Sequence, residues 1–268
     1  MAAVVAAISR DELPTTASAA KLTAMGTRLY SVVIDCADPS RLGRWWADVL
    51  GWPITFDAPD EVAIEPSDED ICHDLAIVFV PVPEPKRFKN RVHLDLASRS
   101  TGDQADIVDR LVRMGATFAD IDQEDVGWVV LADPEGNELC VAEPSDRFDE
   151  PGTIEAIVVD AANPGRLARF WAETTGWRVD YESHMVASLR HPSGKPPALD
   201  MVAVTDPKHV KNRVHLDVAP NAGDDQEAQV NRLIRMGAKE IDVGQGADVT
   251  WVVLADPEDN EFCVLSPR

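Results

Sequence analysis

The chain has 268 residues, 45% of them hydrophobic and 27% charged, a composition typical of a globular protein with about two domains. Its formal net charge of −22 argues against nucleic acid or an anionic membrane as a partner, because no basic patch could easily outweigh that field. Its 4 cysteines form no CxxC motif and no dense framework, so we expect a cytoplasmic protein with free thiols.

The N-terminal residues are predicted to lie outside the fold. The apolar run Ala2–Ile8 has no basic region before it and is too short to span a bilayer, and Asp11 and Glu12 follow it closely. Residues 1–24 are rich in Ala, Thr and Ser. We therefore predict a disordered extension over residues 1–27.

An internal repeat determines the predicted domain organisation. Leu29–Pro144 aligns with Thr153–Pro267, and the segment Lys89–Leu96 returns almost letter for letter as Lys211–Val218. A Trp-Val-Val-Leu-Ala-Asp-Pro-Glu motif occurs unchanged in both copies. The repeat predicts two domains and a polar linker: 28–145, 153–268 and, between them, 146–152.

Each copy begins with a predicted strand followed by a well-marked helix. Asp38 and Asn163 each place a capping side chain before a proline at the first helical position, and Gly51 and Gly176 end the helices. Three short strands follow, and then a second unit of the same order. In the first copy the predicted strands are Leu29–Cys36, Trp52–Phe56, Glu61–Glu65, Leu75–Pro81, Lys89–Leu96, Thr117–Ile121, Gly127–Leu131 and Glu138–Ala142.

The helix of this second unit is predicted over Asp103–Met114, with Val108, Leu111 and Val112 facing inward. Each copy thus has the order βαβββ-βαβββ. This order predicts an α+β fold with antiparallel hairpins and with helices on one face of the sheet.

The strand Lys89–Leu96 carries the most informative pattern. Apolar residues alternate with Arg91, His93 and Asp95, the period of a strand with one apolar and one polar face. The second copy repeats this Arg-x-His-x-Asp spacing. Three ionisable groups in a row either meet bulk water or form the floor of a cavity.

The order of these motifs resembles the glyoxalase/bleomycin-resistance/extradiol-dioxygenase family, also called the vicinal oxygen chelate superfamily. The residues that carry the resemblance are Asp-Pro at the first helix, Leu-Gly-Trp at its end, Asn-Arg-Val-His-Leu-Asp, and Asp-Pro-Glu-Gly-Asn-Glu-Leu-Cys. The likeness is greatest to the glyoxalase-like domain branch and covers residues 28–268 twice over. It implies two tandem domains, each with two βαβββ units forming a half-barrel around a cavity. The family permits the cavity to close within each copy or between the copies, and the sequence leaves this choice open.

The resemblance also implies where a metal would bind, and the match is partial. His93 and His215 stand at the third ligand position of the family, but Ser31 and Ala156 occupy the first. The second position falls in two stretches without a carboxylate, and the fourth holds a cysteine in each copy. These stretches and cysteines are Ile77–Val80, Met201–Val204, Cys140 and Cys263.

Catalytic zinc usually takes three protein ligands, so we expect no tightly bound cofactor. Any zinc, iron, nickel or manganese would lie at His93 and Cys140 or at His215 and Cys263. Each residue also has a structural interpretation: the histidines as strand residues held by Asp or Arg, the cysteines as small apolar residues, and the tryptophans as packing. The predicted catalytic residues are His93, Asp95, His215 and Asp217. The predicted ligand-binding residues are Arg91, Trp128, Cys140, Arg213, Trp251 and Cys263.

The prediction for function is that this glyoxalase-like protein binds a small organic molecule, to sequester it or to convert it without a tightly bound metal. The alternative is a divalent-metal-dependent lyase or dioxygenase. A third class is a partly degenerate pair in which one domain only scaffolds the other domain or a dimer. Whether the protein is an enzyme, and a monomer or a homodimer, stays open.

The two copies differ at one turn. Gly136 of the first copy is replaced by Asp259 in the second. If this turn needs a positive φ, Asp tolerates it less readily than Gly. We therefore expect the better-formed site in the first domain.

Overall fold

The computed structural model describes residues 26–66, 75–121, 126–149, 152–246 and 248–268. Nearly all of the predicted N-terminal extension and Cys72 lie outside these residues. Thr27, which we placed in the extension, already belongs to the first strand.

Each copy consists of two βαβββ units, as predicted. The elements of the first copy are β1 (Thr27–Cys36), α1 (Pro39–Leu50), β2 (Ile54–Ala58), β3 (Glu61–Ile64), β4 (Ala76–Pro81), β5 (Val92–Leu96), α2 (Thr101–Arg113), β6 (Thr117–Phe118), β7 (Val129–Ala132) and β8 (Glu138–Val141). Those of the second are β9 (Ile154–Ala161), α3 (Pro164–Thr175), β10 (Arg178–Glu182), β11 (Val186–Arg190), β12 (Ala198–Ala203), β13 (Val214–Pro220), α4 (Gln226–Arg235), β14 (Lys239–Glu240), β15 (Val252–Ala255) and β16 (Glu261–Val264).

The first helix of each copy begins and ends where the sequence predicts. The carboxylate of Asp38 accepts a hydrogen bond from the backbone N–H of Arg41 at 3.0 Å, and the Asn163 side chain accepts one from Arg166 at the same distance. Gly51 and Gly176 end the helices in the left-handed conformation. No helix in the described part of the chain is long and apolar enough to cross a membrane.

One prediction for α2 is wrong. Val112 was expected to face the core, but its side chain is 39% exposed, whereas Val108 and Leu111 are buried. Consecutive residues of an α-helix are about 100° apart, so the residue after Leu111 turns away from the sheet. The helix also begins earlier than predicted, because the Ser100 side chain caps it by accepting a hydrogen bond from Asp103 N–H.

The strands form two eight-stranded mixed sheets. The α+β class and the tandem arrangement are confirmed. The order in sheet 1 is β14-β15-β16-β13-β1-β4-β3-β2, and the order in sheet 2 is β10-β11-β12-β9-β5-β8-β7-β6.

The sequence left open whether the units close a half-barrel within one copy or between the copies, and this order shows that units of different copies share each sheet. Sheet 1 joins the first unit of copy one to the second unit of copy two, and sheet 2 joins the remaining two units. The copies meet where β1 pairs with β13 and β5 pairs with β9, both antiparallel. The first strands of all four units are equivalent, so the strand pattern alone does not determine which two units pair.

One hydrophobic core contains residues of both copies and lies between the sheets and the helices. Trp46 of α1 and Trp171 of α3 are among its largest fully buried side chains. Each indole N–H donates to a buried aspartate at 3.2 Å: Trp46 to Asp133 and Trp171 to Asp256. Since a buried indole requires an acceptor, these aspartates complete the packing of the core.

The repeated Asp-Pro-Glu motif forms a turn that its own aspartate stabilises. The carboxylate of Asp133 accepts hydrogen bonds from the N–H groups of Glu135 and Asn137, each at 2.9 Å. The carboxylate of Glu135 accepts from the backbone N–H groups of Ala37 at 2.6 Å and Asp38 at 3.0 Å. The turn thus attaches the second unit of a copy to the start of α1 in the first unit.

The turn that differs between the copies does need a positive φ, which is 86° at Gly136 and 66° at Asp259. We expect Asp259→Gly to raise the free energy of unfolding by about 0.5–1 kcal/mol, because an L-residue is strained in this region. The exposed ion pair of Asp259 with Lys239, at 2.7 Å, offsets little of that gain. Urea unfolding measures the change.

The matched control is Gly136→Asp, which should lower stability by a similar amount. A Cβ at Gly136 would only meet Lys86 at an ordinary distance of 3.6 Å, so any loss arises from the backbone. Equal stability of all three proteins would contradict this account of the turn.

Candidate functional site

The structure brings the predicted histidine, aspartate and cysteine of each copy together. His93 and Asp95 alternate on β5 and face away from the core, and Asp95 is in parallel register with Cys140 on β8. Their nitrogen, oxygen and sulfur donors all lie within 4.8 Å of one another. We call these three residues the His93 cluster.

The second copy builds the same arrangement on the other sheet. His215 and Asp217 alternate on β13, and Asp217 is in parallel register with Cys263 on β16. Their donors also lie within 4.8 Å. These residues form the His215 cluster, so each sheet carries one cluster on the face opposite the helices.

Both clusters are largely buried, and their polar atoms are incompletely paired. His93 Nε2 lies 3.3 Å from Asp95 Oδ1, and His215 Nε2 lies 3.7 Å from Asp217 Oδ1. These side chains are only 11–14% exposed. Within the described part of the chain, the Nδ1 atom of each histidine and the Oδ1 atom of each aspartate have no hydrogen-bond partner. A buried polar atom without a partner destabilises the fold by about 1–3 kcal/mol.

Burial shifts the pKa values in the His215 cluster toward neutral side chains. It raises the pKa of Asp217 to about 7, although hydrogen bonds from Cys263 and Ser31 act in the opposite direction. Burial and the nearby Lys211 lower the pKa of His215 to about 3. Burial, followed by the Asp217 charge, also raises the pKa of the Cys263 thiol. Asp217 is therefore the group of this cluster whose pKa lies nearest neutrality, and the catalytic roles of His215 and Asp217 stay predictions.

The two clusters differ in their neighbours on the adjoining strand. In sheet 1, Ser31 lies in register with Asp217, and its hydroxyl donates to Asp217 Oδ2 at 3.2 Å. In sheet 2, Ala156 lies in register with Asp95 and offers no such donor. The first ligand position of the family thus holds a hydroxyl that already donates a hydrogen bond in sheet 1 and a methyl group in sheet 2.

A buried ion pair that the sequence pattern did not predict lies beside the His93 cluster. Arg147 of the linker segment donates to both carboxylate oxygens of Asp200, at 2.6 and 2.7 Å, and also to the hydroxyl of Ser188. Asp200 lies one residue before Met201–Val204, the stretch in which the second ligand position of the family falls. Two features of the sequence could have indicated this ion pair. One is the lone Asp within the apolar strand Ala198–Ala203, and the other is the Arg-Phe pair in the polar linker.

The two predicted arginines hold the copies together. Arg91 of the first copy donates to the backbone carbonyls of Asp160 and Asp206, both at 2.9 Å. Arg213 of the second copy donates to the carbonyls of Glu84 at 2.6 Å and Asp35 at 2.8 Å. A ligand-binding role for either arginine stays a prediction.

The two predicted tryptophans lie directly before strands of the cluster-bearing sheets. Trp128 precedes β7 and is partly buried, whereas Trp251 precedes β15 and is 39% exposed. The structure does not place either ring in a cluster, and stacking on a ligand stays a prediction for both.

The donor set of each cluster fits a divalent metal in number and softness. A catalytic zinc takes three protein ligands and keeps one open position, and histidine, cysteine and a carboxylate all bind it. The set departs from the pattern of the family, since two of the four ligand strands provide no free donor. In sheet 2 the carboxylate of Asp200 is already engaged by Arg147.

Comparisons with known proteins agree with this fold. The family model described as "Glyoxalase-like domain" matches residues 31–142 and 156–265. Glyoxalase I from Zea mays shares 13% identity with a TM-score of 0.65, over 90% of this chain and 92% of that chain. A putative dioxygenase from Bacillus subtilis subsp. subtilis str. 168 shares 14% identity with a TM-score of 0.59, over 90% and 85%. These likenesses show the fold, and no curated protein matches the sequence.

The pKa of Asp217 predicts how stability depends on pH. The folded protein holds the Asp217 proton up to about pH 7, while the unfolded chain releases it near its ordinary 3.8. The contribution of Asp217 to stability therefore falls as pH rises from about 4 to about 7. The free energy of unfolding of Asp217→Asn, relative to that of the parent, should therefore increase by about 4 kcal/mol across this window, at 1.36 kcal/mol per pH unit.

Urea unfolding at stepped pH in a chelating buffer measures this difference. Ser31→Ala is the matched variant: it removes a hydrogen bond that lowers the pKa of Asp217, so its stability should keep falling to a higher pH than that of the parent. A difference between Asp217→Asn and the parent that stays constant with pH would contradict the assignment.

Proposed function

The chain belongs to the glyoxalase-like domain family and contains two copies of the domain. We propose that it binds a small organic molecule on the cluster-bearing faces of its sheets. The molecule is held or converted without a tightly bound metal. The family supports the location, since its members use this side of the sheet, but it does not specify the chemistry.

The observation that carries the proposal is the set of unpaired polar atoms in the clusters. His215 Nδ1 and Asp217 Oδ1 are buried without hydrogen-bond partners among the described residues, and so are the same atoms of His93 and Asp95. Buried polar groups are normally hydrogen-bonded. A ligand with a hydroxyl, carbonyl or carboxyl group would provide the missing partners and would thereby be oriented on the sheet.

The metal-independent part of the proposal rests on the two neighbouring strands. Val33 and Val158 lie in register with the two histidines, and the next strands bring Val78 and the engaged Asp200 into the same rows. Only the histidine and cysteine strands therefore contribute free donors. Without a metal, the Cys263 thiol donates a hydrogen bond to the carboxyl group of Asp217, and burial favours the neutral forms of both groups.

The cluster can also move a proton if the ligand is converted. An acid or base is most effective when its pKa lies near the working pH, and the pKa of Asp217 is about 7. Asp217 would transfer the proton, and neutral His215 would bind the ligand by accepting or donating a hydrogen bond.

One observation favours a second candidate, a divalent-metal-dependent lyase or dioxygenase. Each cluster offers histidine, aspartate and cysteine donors within 4.8 Å of one another. When bound there, the metal would supply a Lewis acid that polarises a ligand oxygen.

A thermal-shift screen of small organic acids, aldehydes and amides in chelating buffer tests the proposal. A compound at about 100 times its Kd stabilises the folded chain by about 2.7 kcal/mol, which raises Tm by several degrees. The shift should disappear in His93→Ala/His215→Ala. It should persist in His184→Ala, which changes an exposed histidine outside the clusters.

Two outcomes would contradict the proposal. Either no compound shifts the parent protein, or the double variant shows the same shifts as the parent. Shifts that appear only after a divalent metal is restored would instead favour the second candidate.

A further inference from the structure

Residues 145–148 belong to the segment that joins the copies, and we call them the strap. The Phe148 ring of the strap is buried against Ala156 and Val158 of β9 in sheet 2. Val158 is the register partner of His93. The ring therefore packs directly beside the His93 cluster, on the face that carries it, and covers that side of the cluster.

The strap is anchored by a buried ion pair and by its first residue. Asp200 lies in register with Val158, and Arg147 donates to both of its carboxylate oxygens. The two paired side chains are only 3% and 0% exposed. Bidentate arginine–carboxylate pairs are among the strongest charge-assisted hydrogen bonds. The hydroxyl of Ser145 also donates to the buried carboxylate of Glu155 at 2.7 Å.

A second arginine holds the strap from outside. The guanidinium of Arg190 lies 4.5 Å from the centre of the Phe148 ring and donates to the carbonyl of Arg147 at 3.1 Å. Asp180 accepts a hydrogen bond from this guanidinium at 2.8 Å and also pairs with Arg178 at 3.7 Å. Ring, backbone and ion pair together hold the strap on sheet 2.

The polar residues under the strap are not required by the sheet itself. Ser188 and Asp200 are register partners in sheet 2, and both contact Arg147. The equivalent positions of sheet 1 hold Ala63 and Val78, and that sheet has the same arrangement of strands. Ser188 and Asp200 therefore serve to hold the strap, and sheet 1 has no counterpart of this anchor.

Release of the strap would leave the main core intact. Phe148 belongs to a small apolar cluster that is distinct from the main core, and Ser145 and Asp146 are exposed. The ion pair contributes specificity more than stability, because its burial removes the water that solvates both charges. The Nε atom of Arg147 is also without a hydrogen-bond partner among the described residues. A segment with so few apolar contacts opens at a lower free energy than the whole fold.

We propose that the strap is a movable cover of the His93 cluster, which opens while the rest of the chain stays folded and thereby controls access to this cluster. The proposal goes beyond the proposed function, because it concerns how a molecule reaches one of the two clusters. The anchor of the strap exists only in sheet 2, so this control does not extend to the His215 cluster.

Alkylation of cysteines by iodoacetamide under native conditions tests the cover, with mass spectrometry measuring the reaction at each site. Val158→Cys places a reporter thiol beneath the Phe148 ring, and Cys36 of the main core reports global unfolding. Opening of the strap exposes little surface. The reaction of the reporter should therefore change little in low urea, whereas that of Cys36 should rise steeply.

Two variants in the reporter background distinguish opening of the strap from unfolding. Arg190→Ala removes the contacts of this guanidinium with the strap, and should speed the reaction of the reporter and of Cys140 about tenfold. Asp38→Ala is the matched control, because it removes the cap of α1, which packs on sheet 1. It should speed the reaction of Cys36 about fivefold and leave the reporter unchanged.

Two results would overturn the proposal. The reporter could respond to urea and to Asp38→Ala as strongly as Cys36 does, which would show that the strap leaves the sheet only in the unfolded chain. Alternatively, Arg190→Ala could speed the reaction of the reporter without that of Cys140, which would show that the strap opens without controlling the cluster. The assay contains no ligand, so either result would leave the proposed function standing.

Discussion

The antiparallel pairing of β1 with β13 and of β5 with β9 is the constraint on which the rest of the structure depends. It joins each unit of one copy to a unit of the other, so the floor of each site belongs to both copies. His215 and Asp217 come from the second copy and meet Val33 and Ser31 of the first. The inter-copy hydrogen bonds of Arg91 and Arg213 reinforce the same junctions. The folding unit is therefore the whole chain, although the sequence is divided into two repeats.

Local signals in the sequence predicted much of this fold. The capping residues Asp38 and Asn163 placed the first helices, and the alternation around His93 placed histidine and aspartate on a face away from the core. Register then explains why the cysteine joins them, since Asp95 pairs with Cys140. These features depend on neighbours within one unit, which the sequence pattern specifies.

Features that depend on distant parts of the chain could not be predicted in the same way. The choice of partner unit was not predictable, because all four units begin with an equivalent strand. The anchoring of Arg147 was missed, because its partner Asp200 is 53 residues away and only the folded sheet brings the two together. The pKa values of Asp217 and His215 depend on burial, which the strand pattern does not specify. Their ordinary pKa values favour histidine near neutral pH, and burial reverses that order.

The repeat therefore yields two similar clusters in unequal surroundings. The central claim is that the clusters bind an organic molecule without a resident metal. Elemental analysis of the purified, untagged protein tests this most directly, beside His93→Ala/His215→Ala prepared in the same way. The account predicts far less than one zinc, iron, nickel or manganese per chain, even after incubation with these ions. Near-stoichiometric metal in the parent that disappears in the double variant would contradict it and establish the clusters as metal sites.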